Sequence, residues 1–365
     1  MFLLNADNEY CETKSGNDMY IKSDAVEKKL IKLKYKNIDN EIVCEIFDIN
    51  FLENYARHLF YVSKKYDTNL SHKYYKTISL YRKKFTDDDI LIHRDSDAKL
   101  KWNSVNTNIE KRNTSMQHNG QLKLALSEIF LLNKIKKDDD KWFNDGKIKN
   151  ILYIGAAPGT HIPFVMDMFP NTFWLLYDPA KFNVIGNTNH KIFSKLFTEE
   201  DTSEIIKKLG NDFIFISDIR HNNKNKYVEE DEKLVNDMLR VMKPRWFMIK
   251  RRGIWQKGFM YVPQGIEYYQ PFKKYKSAET RIIGKGKNLK FVKVDNVDNE
   301  SLLFYHNIIN RQSIWVNRSS IHRYRRCYCT DCEAAIYIMG GFDNFMNLVH
   351  YLGRDIFGAF NGLHK

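Results

Sequence analysis

The chain has 365 residues, enough for one large domain or two of ordinary size. Its hydrophobic content of 43% is ordinary for a globular protein, and the absence of any run of about 18 apolar residues argues against a membrane span. The formal net charge of +13 and the aromatic content of 14% favour a nucleic-acid partner, single-stranded RNA in particular. A lysine-rich codon bias from an AT-rich genome explains the same lysines equally well, so charge alone does not decide.

Cysteine usage indicates a reducing compartment. The odd number of cysteines favours free thiols, and the N-terminal MFLLNADNEY lacks the basic and apolar segments of a secretory signal, so we expect a cytoplasmic protein. The segment CYCTDC, together with His322, offers ligands for zinc, but structural zinc sites usually pair two separated ligand couples. We therefore expect reduced thiols and no metal site. The five cysteines are Cys11, Cys44, Cys327, Cys329 and Cys332.

Residues 1–115 form the first region in chain order, a predicted N-terminal extension. Within it, KKLIKLKY (28–35) and EIVCEIFDI (41–49) are typical of strands, and NFLENYARHLFYVSKKY (50–66) of an amphipathic helix. The polar residues 86–115 are typical of a linker. A partner-docking module, an RNA-binding module and an extra layer on the core all fit this region.

An α/β pattern begins with the helix predicted at 121–137. It predicts an α/β fold in which right-handed crossovers join a mostly parallel sheet with helices on both faces. In such sheets ligands bind at the carboxyl ends of the strands. We expect this domain to cover residues 116–345, with a tail at 346–365. Strands are predicted at 151–155, 172–178, 191–197, 212–219 and 245–251, and helices near 160–169, 201–209 and 229–242.

The stretch ILYIGAAPGTHIPF (151–164) changes from a buried strand into a glycine-containing turn and then a helix. Gly155 and Gly159 permit close approach of a ligand, but the third glycine of a dinucleotide fingerprint and the Gly-Lys-Ser/Thr of a P-loop are missing. Asp178 ends the next strand, where a carboxylate holds ribose hydroxyls, so the pattern indicates an adenosine-containing cofactor. A plain strand-to-helix turn with a surface aspartate is the alternative.

Four charged residues follow this scaffold in chain order. Lys123 lies near the start of the first helix, Asp218 ends a strand in ISDIR, Lys250 ends the apolar strand RWFMIK, and Glu279 lies in KSAETR. Burial and neighbouring cations lower the pKa of a lysine, and an amine with a lowered pKa can accept a proton. A lysine that reaches solvent from a strand end is the alternative for Lys250. The order Lys-Asp-Lys-Glu is similar to that of ribose 2′-O-methyltransferases.

The segments GQLKLALSEIFLL, YIGAAPGTHI, ISDIR and QPFKKYKSAETR resemble the poxvirus family of cap-specific 2′-O-methyltransferases, which double as the small subunit of the viral poly(A) polymerase. The resemblance covers residues 117–307, with the motifs in the same order. It implies a Rossmann-like class I methyltransferase fold, S-adenosylmethionine as cofactor and capped mRNA as substrate. It also implies a viral poly(A) polymerase catalytic subunit as partner, in host cytoplasm or virion.

The resemblance also implies which residues bind the cofactor. Asp178 would bind the ribose hydroxyls. Two residues later the family has an arginine, where this chain has Ala180, so one adenosine-side contact has no counterpart. Phe197 stands where the family has a smaller apolar residue beside the adenine. The implied cofactor contacts are Gln121, Tyr153, Gly155, Gly159, Asp178, Phe197 and Asp218.

Catalysis is implied to rest on Lys250, in an in-line attack of a ribose 2′-hydroxyl on the sulfonium methyl. Either a neutral Lys250 accepts the hydroxyl proton or a charged one orients the oxygen, and both remain open. Asp218 and Glu279 would hold the amine, and Lys123 would favour its neutral form. Holding the reacting atoms in line would supply much of the rate.

Substrate contacts are implied more loosely. N7-methylguanine is positively charged and stacks well on aromatic rings, for which Trp255 is the candidate and Trp102 a second one. Glu300 is the candidate carboxylate for the guanine edge. The basic stretch RSSIHRYRR (318–326) extends a phosphate path or is simply a solvated face. Candidate RNA contacts elsewhere are Ser277, Arg281, Arg220, Arg251 and Arg252.

The predicted function is methylation of the first transcribed nucleotide of N7-methylguanosine-capped mRNA at its ribose 2′-hydroxyl. One alternative is the same chemistry on another RNA, such as ribosomal RNA. The other is a non-catalytic RNA-binding processivity factor of a poly(A) polymerase. The complete Lys-Asp-Lys-Glu series favours catalysis.

Overall fold

The computed structural model defines the α/β part of the chain and several strands before it. The described residues are 84–97, 99, 117–221, 225–253, 257–273, 277–308, 310–312, 314–315 and 330–353, with strands at 20–22, 30–36, 42–48 and 80–81. Among these residues, no helix is both long and apolar enough to cross a membrane.

A small antiparallel sheet lies in the N-terminal region. It joins β1 (Tyr20–Lys22), β2 (Leu30–Lys36) and β3 (Ile42–Asp48). Both predicted strands are confirmed, and β1 adds a third. The helix predicted at 50–66 lies outside the described residues. A fourth strand, β4 (Leu80–Tyr81), pairs in parallel with Ile314–Trp315, which is the last strand, β14.

The central sheet has seven strands in the order β11-β12-β9-β8-β5-β6-β7. Strands β5 to β9 are parallel to one another, whereas β12 is antiparallel to β9 and to β11. The order reverses between β5 and β8, which is where ligands bind in open α/β sheets. The strands are β5 (Lys149–Ile154), β6 (Thr172–Tyr177), β7 (His190–Phe193), β8 (Phe213–Ser217), β9 (Trp246–Arg252), β11 (Ile266–Tyr268) and β12 (Glu279–Gly284); β10 (Phe259–Pro263) and β13 (Phe291–Asp295) form a separate antiparallel pair.

Helices cover both faces of the sheet because side chains alternate along each buried strand. Ile151 and Tyr153 enter one core with α1, α3, α7 and α8, whereas Leu152 and Ile154 enter a second core with α4 and α5. The predicted Rossmann-like, mostly parallel fold is confirmed. The helices are α1 (Gln117–Asp138), α2 (Asp140–Phe143), α3 (Ile162–Met168), α4 (Glu199–Leu209), α5 (Asn225–Met242), α6 (Asn296–Ile308), α7 (Thr330–Ile338) and α8 (Phe342–Tyr351).

Several predicted boundaries differ from the structure by two to four residues, and α1 and α5 each begin four residues earlier than predicted. The strand expected at 191–197 ends at Phe193, where the carbonyl accepts a turn hydrogen bond from the Lys195 amide at 2.9 Å. Helix α4 begins two residues earlier than predicted because Thr198 and Asp201 form a reciprocal capping box.

The packed core extends beyond the predicted limits 116–345 at both ends. Phe85 and Ile90, from the predicted extension, are buried in the first core. Leu348 and Val349 of α8, from the predicted tail, are buried in the same core. These segments are therefore parts of the α/β unit.

Candidate active site

The glycine turn after β5 lies directly against the end of β8. Gly155 has a φ of +78°, and a Cβ there would lie 2.9 Å from the carbonyl carbon of Asp218. Gly159 has a φ of +67°, and a Cβ there would meet Val184 at 2.9 Å. Both positions therefore require glycine, because of their conformation and because of the space.

Asp178 at the end of β6 is held by main-chain amides of this region. Its Oδ2 accepts from the Ala157 amide at 3.2 Å, and its Oδ1 accepts from the Ala180 amide at 2.8 Å. The turn after β5 and the end of β6 are thus joined through one carboxylate at the sheet edge where ligands bind. Ala180, which stands where the family has an arginine, contributes its backbone amide to this arrangement.

Gln121 on α1 is tied to the far end of the turn. Its Oε1 accepts from the Thr160 hydroxyl at 2.8 Å and lies 2.8 Å from Nδ1 of His161. The other ring nitrogen of His161 lies 2.7 Å from Oε1 of Glu128, and both side chains are buried. This chain of contacts fixes α1 against the turn that follows β5.

Tyr153 and Phe197, two other predicted cofactor residues, differ in their burial. The Tyr153 side chain is buried in the first core, with its ring 6.4 Å from that of Trp174, and burial raises its pKa well above the usual value. Phe197 is partly exposed after β7, and its ring meets Tyr177 edge-on at 4.9 Å. Since Tyr177 directly precedes Asp178, Phe197 lies next to the strand end predicted to bind the ribose.

The four predicted catalytic residues come together at the carboxyl ends of the parallel strands, where the antiparallel strand β12 begins. Lys250 Nζ lies 3.3 Å from Oδ1 of Asp218, and Lys123 Nζ donates to Oε1 of Glu279 at 2.6 Å. All four side chains are between 13% and 16% exposed. The residues arrive from α1, from the end of β8, from β9 and from β12, so the predicted quartet is one compact cluster.

The register of β9 and β12 explains this convergence. Lys250 pairs with Arg281, and Glu279 pairs with Arg252. Because side chains alternate along a strand, Lys250, Arg281 and Glu279 project from the same face as Met248, which belongs to the first core. Helix α1 packs on that face and supplies Lys123.

Arg281 occupies the centre of the cluster, a role that the sequence did not indicate. Its Nη2 donates to Oδ1 of Asp218 at 2.5 Å and to Oε1 of Glu279 at 3.2 Å. The side chain is only 1% exposed. This burial places the guanidinium inside the cluster. The prediction that Arg281 contacts the RNA strand from the surface therefore does not fit the structure. Its position two residues after Glu279 on one strand was the available signal.

The charges shift one another strongly. Burial acts to raise the pKa of Asp218, but Arg281 and Lys250 outweigh it and hold that pKa below its usual value. Burial also acts to raise the pKa of Glu279. Lys123 and Lys250 outweigh it and hold that pKa well below its usual value. Burial lowers the pKa of Lys123, although Glu279 acts in the opposite direction. Both carboxylates are therefore kept ionised as anchors for the cations.

A further buried layer supports this cluster. In the amide orientation that satisfies all its partners, Gln270 donates to Oε1 of Glu279 at 2.9 Å and accepts from Nε of Arg281 at 2.9 Å. The same amide oxygen accepts from the Ser127 hydroxyl at 2.7 Å. Gln270 is fully buried and is the first residue of the segment QPFKKYKSAETR, but the sequence did not predict its contact with the quartet.

Arg220 and Arg252, predicted RNA contacts, lie beside two acidic residues of α5. Arg220 contacts Asp231 at 3.4 Å and Glu232 at 3.7 Å, and the Arg252 amide donates to Glu232 at 2.8 Å. Burial raises the pKa of Glu232 to about 7, although neighbouring arginines oppose the shift. The loop after β8 is further held by His221, whose ring and amide both contact Asp231.

Arg251 does not join this surface, and its prediction as a phosphate contact is wrong. It is fully buried, and its Nη1 donates to Oε1 of Glu267 and to Oδ1 of Asn299, both at 2.8 Å. Arg94 contacts the same carboxylate, and Thr280 donates to it at 2.5 Å. Burial raises the pKa of Glu267, but Arg251 and Arg94 outweigh it and lower that pKa to about 2. Strand alternation places Arg251 on the opposite face from Lys250.

The predicted cap contacts are only partly described. Ser277 accepts from the Glu279 amide at 3.2 Å, which places it at the entrance of β12. Glu300 lies on α6, where burial raises its pKa. Trp255, Trp102 and the stretch 318–326 lie outside the described residues. So do His322, Cys327 and Cys329 of the CYCTDC cluster, whereas Cys332 is a buried cysteine of α7.

Comparisons with known proteins find relatives of this chain among poxviruses. A cap-specific mRNA (nucleoside-2′-O-)-methyltransferase from Myxoma virus (strain Lausanne) is 32% identical over 244 residues, 61% of this chain and 69% of the relative. The protein of the same name from Fowlpox virus (strain NVSL) is 28% identical over 283 residues, 70% of this chain and 89% of the relative. Bluetongue virus VP4, a solved RNA-capping protein, matches at 15% identity and a TM-score of 0.32 over 51% of this chain and 35% of its own.

A family model covers most of the described α/β unit. The model of the poly(A) polymerase regulatory subunit matches residues 90–359, about three quarters of the chain. That range contains both the glycine turn and all four residues of the charged quartet. The chain therefore belongs to the poly(A) polymerase regulatory subunit family.

Proposed function

We propose that this protein transfers a methyl group from S-adenosylmethionine to the ribose 2′-hydroxyl of the first transcribed nucleotide of N7-methylguanosine-capped mRNA. One observation carries the proposal. Asp218 belongs to the glycine turn through its backbone, which packs on Gly155, and to the quartet through its carboxylate, which binds Arg281 and Lys250. A cofactor turn and a cluster able to handle a hydroxyl proton are therefore adjacent. The names of the poxvirus relatives support the same chemistry.

The residues present fit S-adenosylmethionine. Gly155 and Gly159 allow the tight backbone turn at the carboxyl end of β5, and Asp178 offers carboxylate oxygens to a ribose there. When bound, the cofactor supplies an electrophilic methyl group on a sulfonium. This chain supplies the walls of that site and positions the hydroxyl that receives the methyl.

Lys250 acts on the 2′-hydroxyl, either by accepting its proton or by orienting its oxygen. Arg281 also binds Asp218, and Arg281 and Lys123 both bind Glu279, so the two carboxylates near the amine are held in place. The arrangement is preformed by the register of β9 and β12, which reduces the entropy lost when the hydroxyl is aligned.

The test is methyl transfer from labelled S-adenosylmethionine to short RNAs with an N7-methylated cap, an unmethylated cap or an uncapped 5′ end. We expect transfer only to the N7-methylated cap, and its loss in Lys250→Ala with RNA binding retained. Lys208→Ala, an exposed lysine of α4, is the matched control. Transfer independent of the cap would assign another RNA, and tight RNA binding without transfer would favour a non-catalytic processivity factor.

We propose as a second function that the chain serves as regulatory subunit of a viral poly(A) polymerase in the host cytoplasm. The match of residues 90–359 to the regulatory subunit family supports this role. The expected result is longer poly(A) tails when the protein is added to the catalytic subunit, with Lys250→Ala as effective as wild type. Equal tail lengths with and without the protein would contradict it.

A further inference from the structure

The antiparallel pair β10–β13 has an outward face that carries aromatic side chains. Met260, Val262 and Val294 turn inward to the second core, whereas the alternate residues Phe259 and Tyr261 remain 57% and 60% exposed. The outward face of such a pair is normally polar. Two exposed rings at alternate positions of one strand therefore form an apolar surface that suggests a ligand.

Cations lie over the rings of this face. Lys293 Nζ is 3.7 Å from the ring centroid of Phe259, and the guanidinium carbon of Arg240 is 4.1 Å from that of Phe291. The register pairs Lys293 with Tyr261, so these side chains share one face. We name Phe259, Tyr261, Phe291, Lys293 and Arg240 the aromatic–basic platform.

The acidic residue at the edge of the platform already accepts hydrogen bonds from main-chain amides. Asp295, the one acidic residue of β10 and β13, accepts at Oδ1 from the Val297 amide at 2.8 Å and the Asp298 amide at 3.0 Å. Its carboxylate therefore accepts hydrogen bonds from the amides of the first turn of α6. The strands themselves present rings and a lysine, and Arg240 adds a guanidinium whose Nη1 also binds Asp237 at 2.6 Å.

Helix α5 connects the platform to the candidate active site. Glu232 accepts from the Arg252 amide at 2.8 Å, and Asn236, four residues later, donates to the Tyr261 carbonyl at 3.0 Å. Four residues of helix advance about 6 Å along the axis. The platform thus begins about one helical turn from the end of β9, where Lys250 and Arg252 lie.

We propose that the aromatic–basic platform binds the single-stranded RNA chain that leaves the active site, as a second RNA site outside the catalytic cluster. The proposal rests on the proposed function, which brings an RNA to the end of β9. Exposed rings interleaved with cations stack bases and attract phosphates. The core of a protein–protein interface is instead depleted of lysine, which argues against a protein partner here.

The experiment measures binding of labelled capped RNAs of 4 and about 25 nucleotides by fluorescence anisotropy, with wild type, Phe259→Ala, Tyr261→Ala and the double variant. Each ring removed should weaken binding of the long RNA about fivefold or more, and leave the short RNA unchanged. Tyr351→Ala, an exposed tyrosine of α8 on the side of the first core, is the matched control. In Tyr261→Trp, the added indole fluorescence should fall when the long RNA binds.

Several outcomes would overturn the proposal. The first is that the double variant binds the long RNA as tightly as wild type. The second is an equal loss of binding affinity for the long and the short RNA. The third is that wild type self-associates and the variants do not, while RNA binding stays the same. Failure of the proposed function is distinguishable, because uncapped long RNA tests the platform without methyl transfer. If wild type methylates no RNA but still binds long RNA through Phe259 and Tyr261, the proposed methyl transfer is contradicted and the proposed platform is supported.

Discussion

Arg281 and Lys250 face each other across neighbouring antiparallel strands, and both reach the same oxygen, Oδ1 of Asp218. The arginine is buried, whereas the lysine retains a small exposed surface. The guanidinium therefore acts as a fixed cation that holds Asp218 and Glu279 in place, and the amine is the member of the pair that a ligand can reach.

Replacing Arg281 should damage folding as well as activity. Arg281→Ala leaves two buried carboxylates without their central cation, and removal of one partner of a buried pair typically costs about 3–5 kcal/mol. Urea unfolding at pH 7 should show this loss in the free energy of unfolding. Lys250→Ala should cost much less, because Arg281 stays on both carboxylates. Equal losses in the two variants would contradict the central role of Arg281.

Gly155→Ala should abolish cofactor binding. A Cβ there would lie 2.9 Å from the Asp218 carbonyl carbon, so the end of β8 would have to move. Gly146 has a similar φ of +81° with nothing within 4 Å, so Gly146→Ala is a matched control that costs about 1–2 kcal/mol of backbone strain alone. Calorimetric titration with S-adenosylmethionine should show binding only in the control. Wild-type affinity in Gly155→Ala would place the cofactor elsewhere.

Asp178 should contribute through its charge as well as its position. Hydrogen bonds to a charged group contribute about 1.5–3 kcal/mol, so Asp178→Ala should weaken S-adenosylmethionine binding by roughly tenfold to a hundredfold. Asp178→Asn keeps one acceptor oxygen and should lose less. Binding of an adenosine analogue without ribose hydroxyls should be equally weak in wild type and Asp178→Ala. A further loss for that analogue in the variant would instead indicate that Asp178 acts by holding the turn.

Glu232 should make stability depend on pH near neutrality. Its pKa is raised to about 7 in the folded protein from 4.5, so the folded state binds the proton more tightly than the unfolded state. Its contribution is complete below about pH 4.5 and is lost as the pH rises through 7, at a total of up to about 3 kcal/mol. Urea unfolding at pH 5, 6, 7 and 8 should show this decline in wild type.

Glu232→Gln should flatten that decline, because a neutral amide does not titrate. Glu230→Gln, on the exposed side of the same helix, should retain it and serves as the control. The same decline in all three proteins would assign the dependence to another group.

The sequence was sufficient where local patterns decide the structure. Alternating strands and helices predicted the sheet, and strand-end positions singled out Lys250 and Asp218. It was not sufficient where distant segments meet. The burial of Arg281 depends on the register between β9 and β12, and Gln270 reaches Glu279 from the segment between β11 and β12.

The packing of residues that precede α1 was not predicted, for a related reason. Ile90 lies in the stretch 86–115, whose polar composition predicts a linker, and Phe85 directly precedes it, yet both pack in the first core. Two apolar side chains suffice to anchor a polar segment when a hydrophobic surface is available elsewhere in the chain. Composition averaged over a window does not detect such an anchor.

Asp218 is constrained both through its backbone and through its carboxylate, and this has an evolutionary consequence. Its backbone packs on a position that only glycine can occupy, and its carboxylate is held by an arginine and a lysine from two other strands. A longer glutamate would displace Arg281, and any side chain at position 155 would displace the main chain of residue 218. Positions 155, 218 and 281 should therefore behave as one inherited unit. In a library that randomises all three, we expect functional survivors to retain the wild-type combination far more often than single-site tolerance would predict.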